Sequence, residues 1–157
     1  MNMLKTAAVL SSAFILAGCA MTYTAPTGTS QFASERFNAT RADLMKATKR
    51  ALLTDGNQLL NSDEQSGVVS TVMRNFRVRP EQADCGKTMG LDYLKDNRTT
   101  TQVAYNVLID ESGKVDVRAV VQGDYRPGDS LQNITLSCIS NGVLEKQLMA
   151  KIKAELK

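Results

Sequence analysis

The sequence predicts an α+β domain built as a two-layer sandwich, a four-stranded antiparallel sheet with two helices on one face in the order α-β-β-β-β-α. Three observations predict it. Val103, Tyr105, Val107 and Ile109 alternate with other residues, and Val115, Val117, Ala119 and Val121 resume the alternation after the turn Asp110-Glu111-Ser112-Gly113. That is the pattern of a hairpin with one buried face. Apolar stripes at helical spacing flank the strands, with Leu44, Thr48, Ala51 and Leu52 before them and Leu144, Leu148, Ile152 and Leu156 after them. Neither layer hides its apolar face alone, so each is the natural cover of the other.

The first helix opens on Thr40-Arg41-Ala42-Asp43, which has the form of a capping box, and Gly56 supplies its stop. Leu59-Leu60 and Val68 to Val78 read as two extended segments joined by the polar turn Ser62 to Gly67, which makes the first hairpin. Residues 80–98, broken by Pro80, Gly86 and Gly90, read as a long loop that is either functional or pinned. Beyond the second hairpin, Tyr125 to Asp129 is a turn cluster and Ile134 to Ile139 a short extended or irregular approach. Ser140 or Asn141 then caps the closing helix, and Lys151, Lys153 and Lys157 sit towards the negative end of its dipole. Met45, Met73, Met89 and Met149 read as core filler.

With 157 residues, 43% hydrophobic and 22% charged, the chain is of one-domain size. It has no histidine, which excludes Ser-His and Cys-His hydrolases and His-ligated zinc sites. A net charge of +3, four Phe, four Tyr and no Trp give no footprint for nucleic acid. The paired carboxylates Asp63-Glu64 and Asp110-Glu111 fall in turns, where acidic residues serve turn chemistry, and neither Ser-x-x-Lys nor Gly-x-Ser-x-Gly occurs. No catalytic residue, cofactor or metal is expected.

The N-terminus carries one charge, Lys5, and then the apolar run Ala7 to Leu16, the n-region and h-region of an export signal. That run is too short to span a bilayer as a mature helix. It ends in Leu16-Ala17-Gly18-Cys19, which resembles the lipobox of bacterial lipoproteins. The resemblance implies cleavage before Cys19, acylation of that cysteine with diacylglycerol and palmitate, and a membrane anchor. Ala20 stands where an inner-membrane retention signal would place Asp, which implies the outer membrane, with the domain in the periplasm. The expected organisation is therefore a signal peptide at 1–18, a lipidated Cys19 and flexible tether at 19–36, and a single domain at 37–157. The tether is drawn from the Thr, Ala, Ser, Gly and Pro of residues 20–34.

Processing at Cys19 leaves Cys85 and Cys138, an even pair for which a disulfide is the default in an oxidising compartment. The rival reading is a catalytic thiol and a bystander, with a Lys or a helix N-terminus lowering the thiol's pKa. Asp84-Cys85-Gly86, and Cys138-Ile139-Ser140-Asn141-Gly142-Val143-Leu144-Glu145, resemble small proteobacterial envelope lipoproteins. The order of elements is similar to the helix-grip domains of the accessory lipoprotein of the outer-membrane β-barrel assembly machine. Arg74, Arg77 and Arg79, followed by Lys87, Lys95 and Arg98, form a basic stretch that either faces anionic headgroups or an acidic partner, or is a solvated sheet edge. The expected function is a membrane-anchored lipoprotein with a non-catalytic partner-binding or structural role, its partner an envelope protein. The alternatives are a periplasmic lipid or small-ligand carrier, an inhibitor of an external hydrolase, and an envelope hydrolase.

Overall fold

The computed structural model describes residues 23–128 and 133–157, so Cys19, the signal segment and Asp129 of the turn cluster lie outside the described residues. The fold grows from the hairpin with the strongest alternation. β9 (Thr99–Ile109) and β10 (Lys114–Tyr125) pair without a break from Val115 against Ile109 to Tyr125 against Thr99. Val103, Tyr105, Val107, Ile109, Val115, Val117, Ala119 and Val121 are all buried on its inner face. Asp110 closes the turn, its carboxylate accepting from the Ser112 and Lys114 backbone N–H groups.

Shorter strands attach to this pair. On the β9 side are β3 (Leu59–Asp63) and β4 (Val68–Thr71), which form a hairpin, and β5 (Arg74–Asn75). On the β10 side are β2 (Ala33–Arg36), against Lys114 to Val117, and β11 (Ile134–Ser140), against Val121 to Tyr125. β6 (Ala83–Asp84) adds to the far edge of β11. A second sheet joins β1 (Tyr23–Thr24), β7 (Lys87–Thr88) and β8 (Leu91–Asp92). A 3-10 turn, Tyr93–Lys95, follows it.

Helices α1 (Arg41–Thr54) and α2 (Val143–Glu155) pack against each other, α1 over β9, β3 and β4, and α2 over β10 and β2. Thr40 caps α1 as its spacing predicts, its hydroxyl accepting from the Asp43 N–H. Leu44, Met45, Ala47, Ala51 and Leu52 of α1, with Leu144, Leu148, Met149 and Ile152 of α2, fill the core against the sheet.

This architecture overturns the expected four-stranded sandwich. Among the described residues there is an eight-stranded sheet and a three-stranded sheet, with two helices. The reason is strand length. β1, β5, β6, β7 and β8 have two residues each and β2 and β4 have four, too few to carry a period of two. β11 does alternate through Ile134, Leu136 and Cys138, but Ile139 interrupts the pattern. The long loop expected at 80–98 is in fact strand-paired through β6, β7 and β8. The stretch 19–36, expected as a flexible tether, is docked where it is described, by β1 at Tyr23–Thr24 and by β2 at Ala33–Arg36.

The cap of α2 also differs from expectation. Gly142, at φ 82°, is the N-cap in place of Ser140 or Asn141, and the Ser140 hydroxyl accepts from the Gly142 N–H. The Ser140 hydroxyl also donates to Glu145 at 2.8 Å, and the other oxygen of that carboxylate accepts from the Ala119 N–H at 3.1 Å. Glu145 is fully buried. Ala119 lies between the stretches of β10 that pair with β2 and with β11, so no strand serves its outward N–H. The carboxylate replaces the missing partner, as a buried amide requires.

Glu145→Ala should therefore destabilise the fold by about 1 to 3 kcal/mol, because it strands a buried donor. Leu148→Ala should cost about 2 to 5 kcal/mol and Lys146→Ala, at an exposed site, less than about 0.5 kcal/mol. Urea denaturation of the three variants checks the ranking.

Candidate functional site

Cys85 and Cys138 are joined by a disulfide, with Cα atoms 4.1 Å apart. The strand register brings them together. β6 and β11 pair Asp84 with Ile139 and Ala83 with Ser140, and one step further along the same antiparallel register Cys85 meets Cys138. Cys85 is fully buried. Neither sulfur is a free thiol, so the reading of one as a nucleophile is closed. The Asp84 carboxylate accepts from the Gly86 N–H at 2.8 Å and turns the chain towards β7. Gly86, at φ 85°, also admits β1, since a Cβ there would run into the Thr24 carbonyl and the Tyr23 ring.

The three arginines do not converge. Arg74 is drawn inward to the end of α1, its Nε donating to Asn57 Oδ1 at 2.8 Å, its guanidinium 3.6 Å from Asp55 and stacked over Phe76 at 5.3 Å. Arg77 donates to the Thr99 carbonyl at 3.0 Å and to Asn97 Oδ1 at 3.3 Å. The Arg79 side chain is exposed, and its backbone N–H donates to Gln82 Oε1 at 3.0 Å. Arg74 is thus a structural tie at the border of a depression of about 310 Å³, and Arg77 borders a separate one.

The depression beside Arg77, about 510 Å³, lies where β5 leaves β9 and is bordered by Asn75, Arg77, Thr100, Gln102, Asp124 and Arg126. It exists because the β5 ladder stops at Asn75 paired with Gln102. Beyond that point the Thr101 hydroxyl takes over, donating to the Phe76 carbonyl and accepting from the Val78 N–H at 2.9 Å. The lining offers amides, hydroxyls, two guanidinium groups and one carboxylate. Such a surface suits hydrogen bonding to a polar partner and contains no nucleophile activated by a neighbouring base.

The two largest pKa displacements lead away from acid–base work at neutral pH. Hydrogen bonding from Arg98, at 2.6 Å, holds the Asp96 carboxyl at about 2. Burial pushes the Tyr105 hydroxyl up to about 12. A general acid or base needs a displacement in the opposite direction. Among the described residues no cluster of Cys, Asp and Glu could hold a metal, and no helix is long and apolar enough to cross a membrane.

Comparison with protein-family models and with curated proteins finds no match. The resemblance to envelope lipoproteins therefore stands on the residues that carry it.

Sequence reasoning placed the disulfide cysteines but missed Glu145 as the partner of Ala119. Its only sequence signal is the third helical position, which is that of an N-terminal acid. Met89, expected as core filler, is instead the most exposed large apolar side chain among the described residues.

Replacing both Cys85 and Cys138 by Ser should lower stability by about 2 to 5 kcal/mol, since the bond closes a separation of 53 residues. Thermal denaturation with and without reductant checks it. The depressed Asp96 pKa makes the Asp96–Arg98 contribution full above about pH 4 and lost as pH falls through about 2. Asp96→Asn should accordingly flatten the acid limb of the stability–pH curve, by less than about 1 kcal/mol because Arg98 is half exposed.

Proposed function

We propose that the protein is a lipoprotein anchored through Cys19 to the outer membrane and facing the periplasm, whose domain binds an envelope protein partner without catalysis. The observation that carries this reading is the sequence Leu16-Ala17-Gly18-Cys19 directly after the apolar run Ala7 to Leu16. The Cys85–Cys138 bond supports it, because such bonds form and persist in exported proteins. The open depression beside Arg77, lined by charged and amide side chains together with Phe76, supports a protein partner over a lipid cargo, which would call for an enclosed apolar cavity. The organisation that follows is a signal peptide at 1–18, an anchor at Cys19 and one domain.

Cys19→Ala should move the protein from the membrane pellet to the soluble fraction and remove the lipid mass from the N-terminal peptide. A wild-type N-terminal peptide of unmodified mass would overturn the reading. Detergent-solubilised capture of the wild-type protein, followed by mass spectrometry, identifies the partner.

A further inference from the structure

We propose that the Met89–Leu91 tip of the small sheet is a second, non-covalent membrane contact, seated in the same lipid surface that holds the N-terminal anchor. This rests on the lipoprotein reading above. Met89 and Leu91 are the two most exposed large apolar side chains among the described residues, at 83% and 72%. Tyr23, on the neighbouring strand, is a third exposed apolar group of the same small sheet.

The backbone gives an independent reason. β7 and β8 are joined by the two-residue turn Met89-Gly90, with φ of 47° and 82°. Both positions of such a turn favour Asn, Asp or Gly, and Met89 is the one non-glycine described with positive φ. Turn formation does not ask for a long apolar side chain at a strained position. A strained apolar residue that touches no core points to a contact outside the domain.

Chain connectivity fixes which surface that is. Tyr23 pairs with Thr88, the residue before Met89, so the chain enters the domain beside the tip. Tyr23 lies four positions after Cys19, a reach of at most about 14 Å when fully extended. The anchor therefore brings the tip to the bilayer at high effective concentration, and a contact too weak to bind alone becomes significant. The charges nearby balance, Lys87 and Lys95 against Asp84 and Asp92, so the contact is apolar and independent of anionic lipid.

The chain has no tryptophan, so Leu91→Trp installs a single reporter at the tip and Leu53→Trp, on the exposed side of α1, a control. The full lipidated chains are placed in phosphatidylethanolamine–phosphatidylglycerol vesicles, with mass spectrometry of the N-terminal peptide alongside. The expected result is a blue-shifted tip tryptophan, quenched several-fold more by brominated lipid than the control and unchanged in vesicles of zwitterionic lipid alone. Adding Met89→Asn, which suits the turn, should cut that quenching several-fold without lowering the melting temperature. An acylated protein whose tip tryptophan is unquenched overturns this proposal alone. A blue shift without bromolipid quenching places the tip on another protein surface and also overturns it. An unacylated N-terminus overturns both this proposal and the lipoprotein reading.

Discussion

The antiparallel pairing of β9 with β10 is the constraint on which the rest of the fold depends. The two strands are the longest in the protein, and every other strand of the main sheet is hydrogen-bonded to one of them directly or through one neighbour. Their inner face is apolar from Val103 to Ile109 and from Val115 to Val121, so a slip of one residue would turn the whole buried set to solvent. Register is therefore set by burial, and the short strands inherit it. β5 and β6, with two residues each, have no independent stability and form because a template is already in place.

A long template has more edge than its short partners can fill, and side chains close the resulting gaps, two of which have different outcomes. On β10, β2 and β11 leave the Ala119 N–H without a strand partner, and Glu145 accepts from it. On β9, β5 ends at Asn75, and the Thr101 hydroxyl bridges the Phe76 carbonyl and the Val78 N–H. The outcomes differ because the places differ. The first gap is under α2, is fully buried and serves stability. The second opens to solvent, where the interrupted ladder leaves the depression beside Arg77. The groove is thus a consequence of strand length, bordered by the ends of β5 and β9 and by Asp124 and Arg126.

Sequence patterning made the β9–β10 hairpin, both helices and the Thr40 cap legible, because each spans enough residues for its period to show. It also made the Cys85–Cys138 bond legible through the parity of the cysteines. What stayed hidden was pairing by segments of two to four residues. Ala33-Ser34-Glu35-Arg36 has no alternation worth reading, yet it is a strand because Lys114 to Val117 offer it an edge. The three arginines show the same limit in the candidate site. Adjacent in sequence, they are separated by tertiary partners, Asn57 and Asp55 for Arg74 and the Thr99 carbonyl for Arg77, that strand alternation does not reveal.

On the lipoprotein reading, docking of the N-terminal stretch changes the geometry of anchoring more than any other difference from expectation. A free coil from Cys19 to the domain would let the sheet and helices face the membrane in any orientation. Instead Tyr23–Thr24 is a strand of the small sheet, and that sheet is fixed to the main body at several points. The Cys85–Cys138 bond holds its start to β11, and the Tyr93 ring, immediately after β8, packs between Tyr23 and Tyr125 at 5.7 Å and 4.9 Å. Arg98 in turn stacks on Tyr125 at 5.1 Å and bonds the Asp96 carboxylate. From Tyr23 onward the small sheet is thus tied to the core. On the lipoprotein reading, a force or a tilt at the lipid surface is transmitted through the disulfide and the tyrosine stack directly to β10 and β11, the strands that border the buried Glu145.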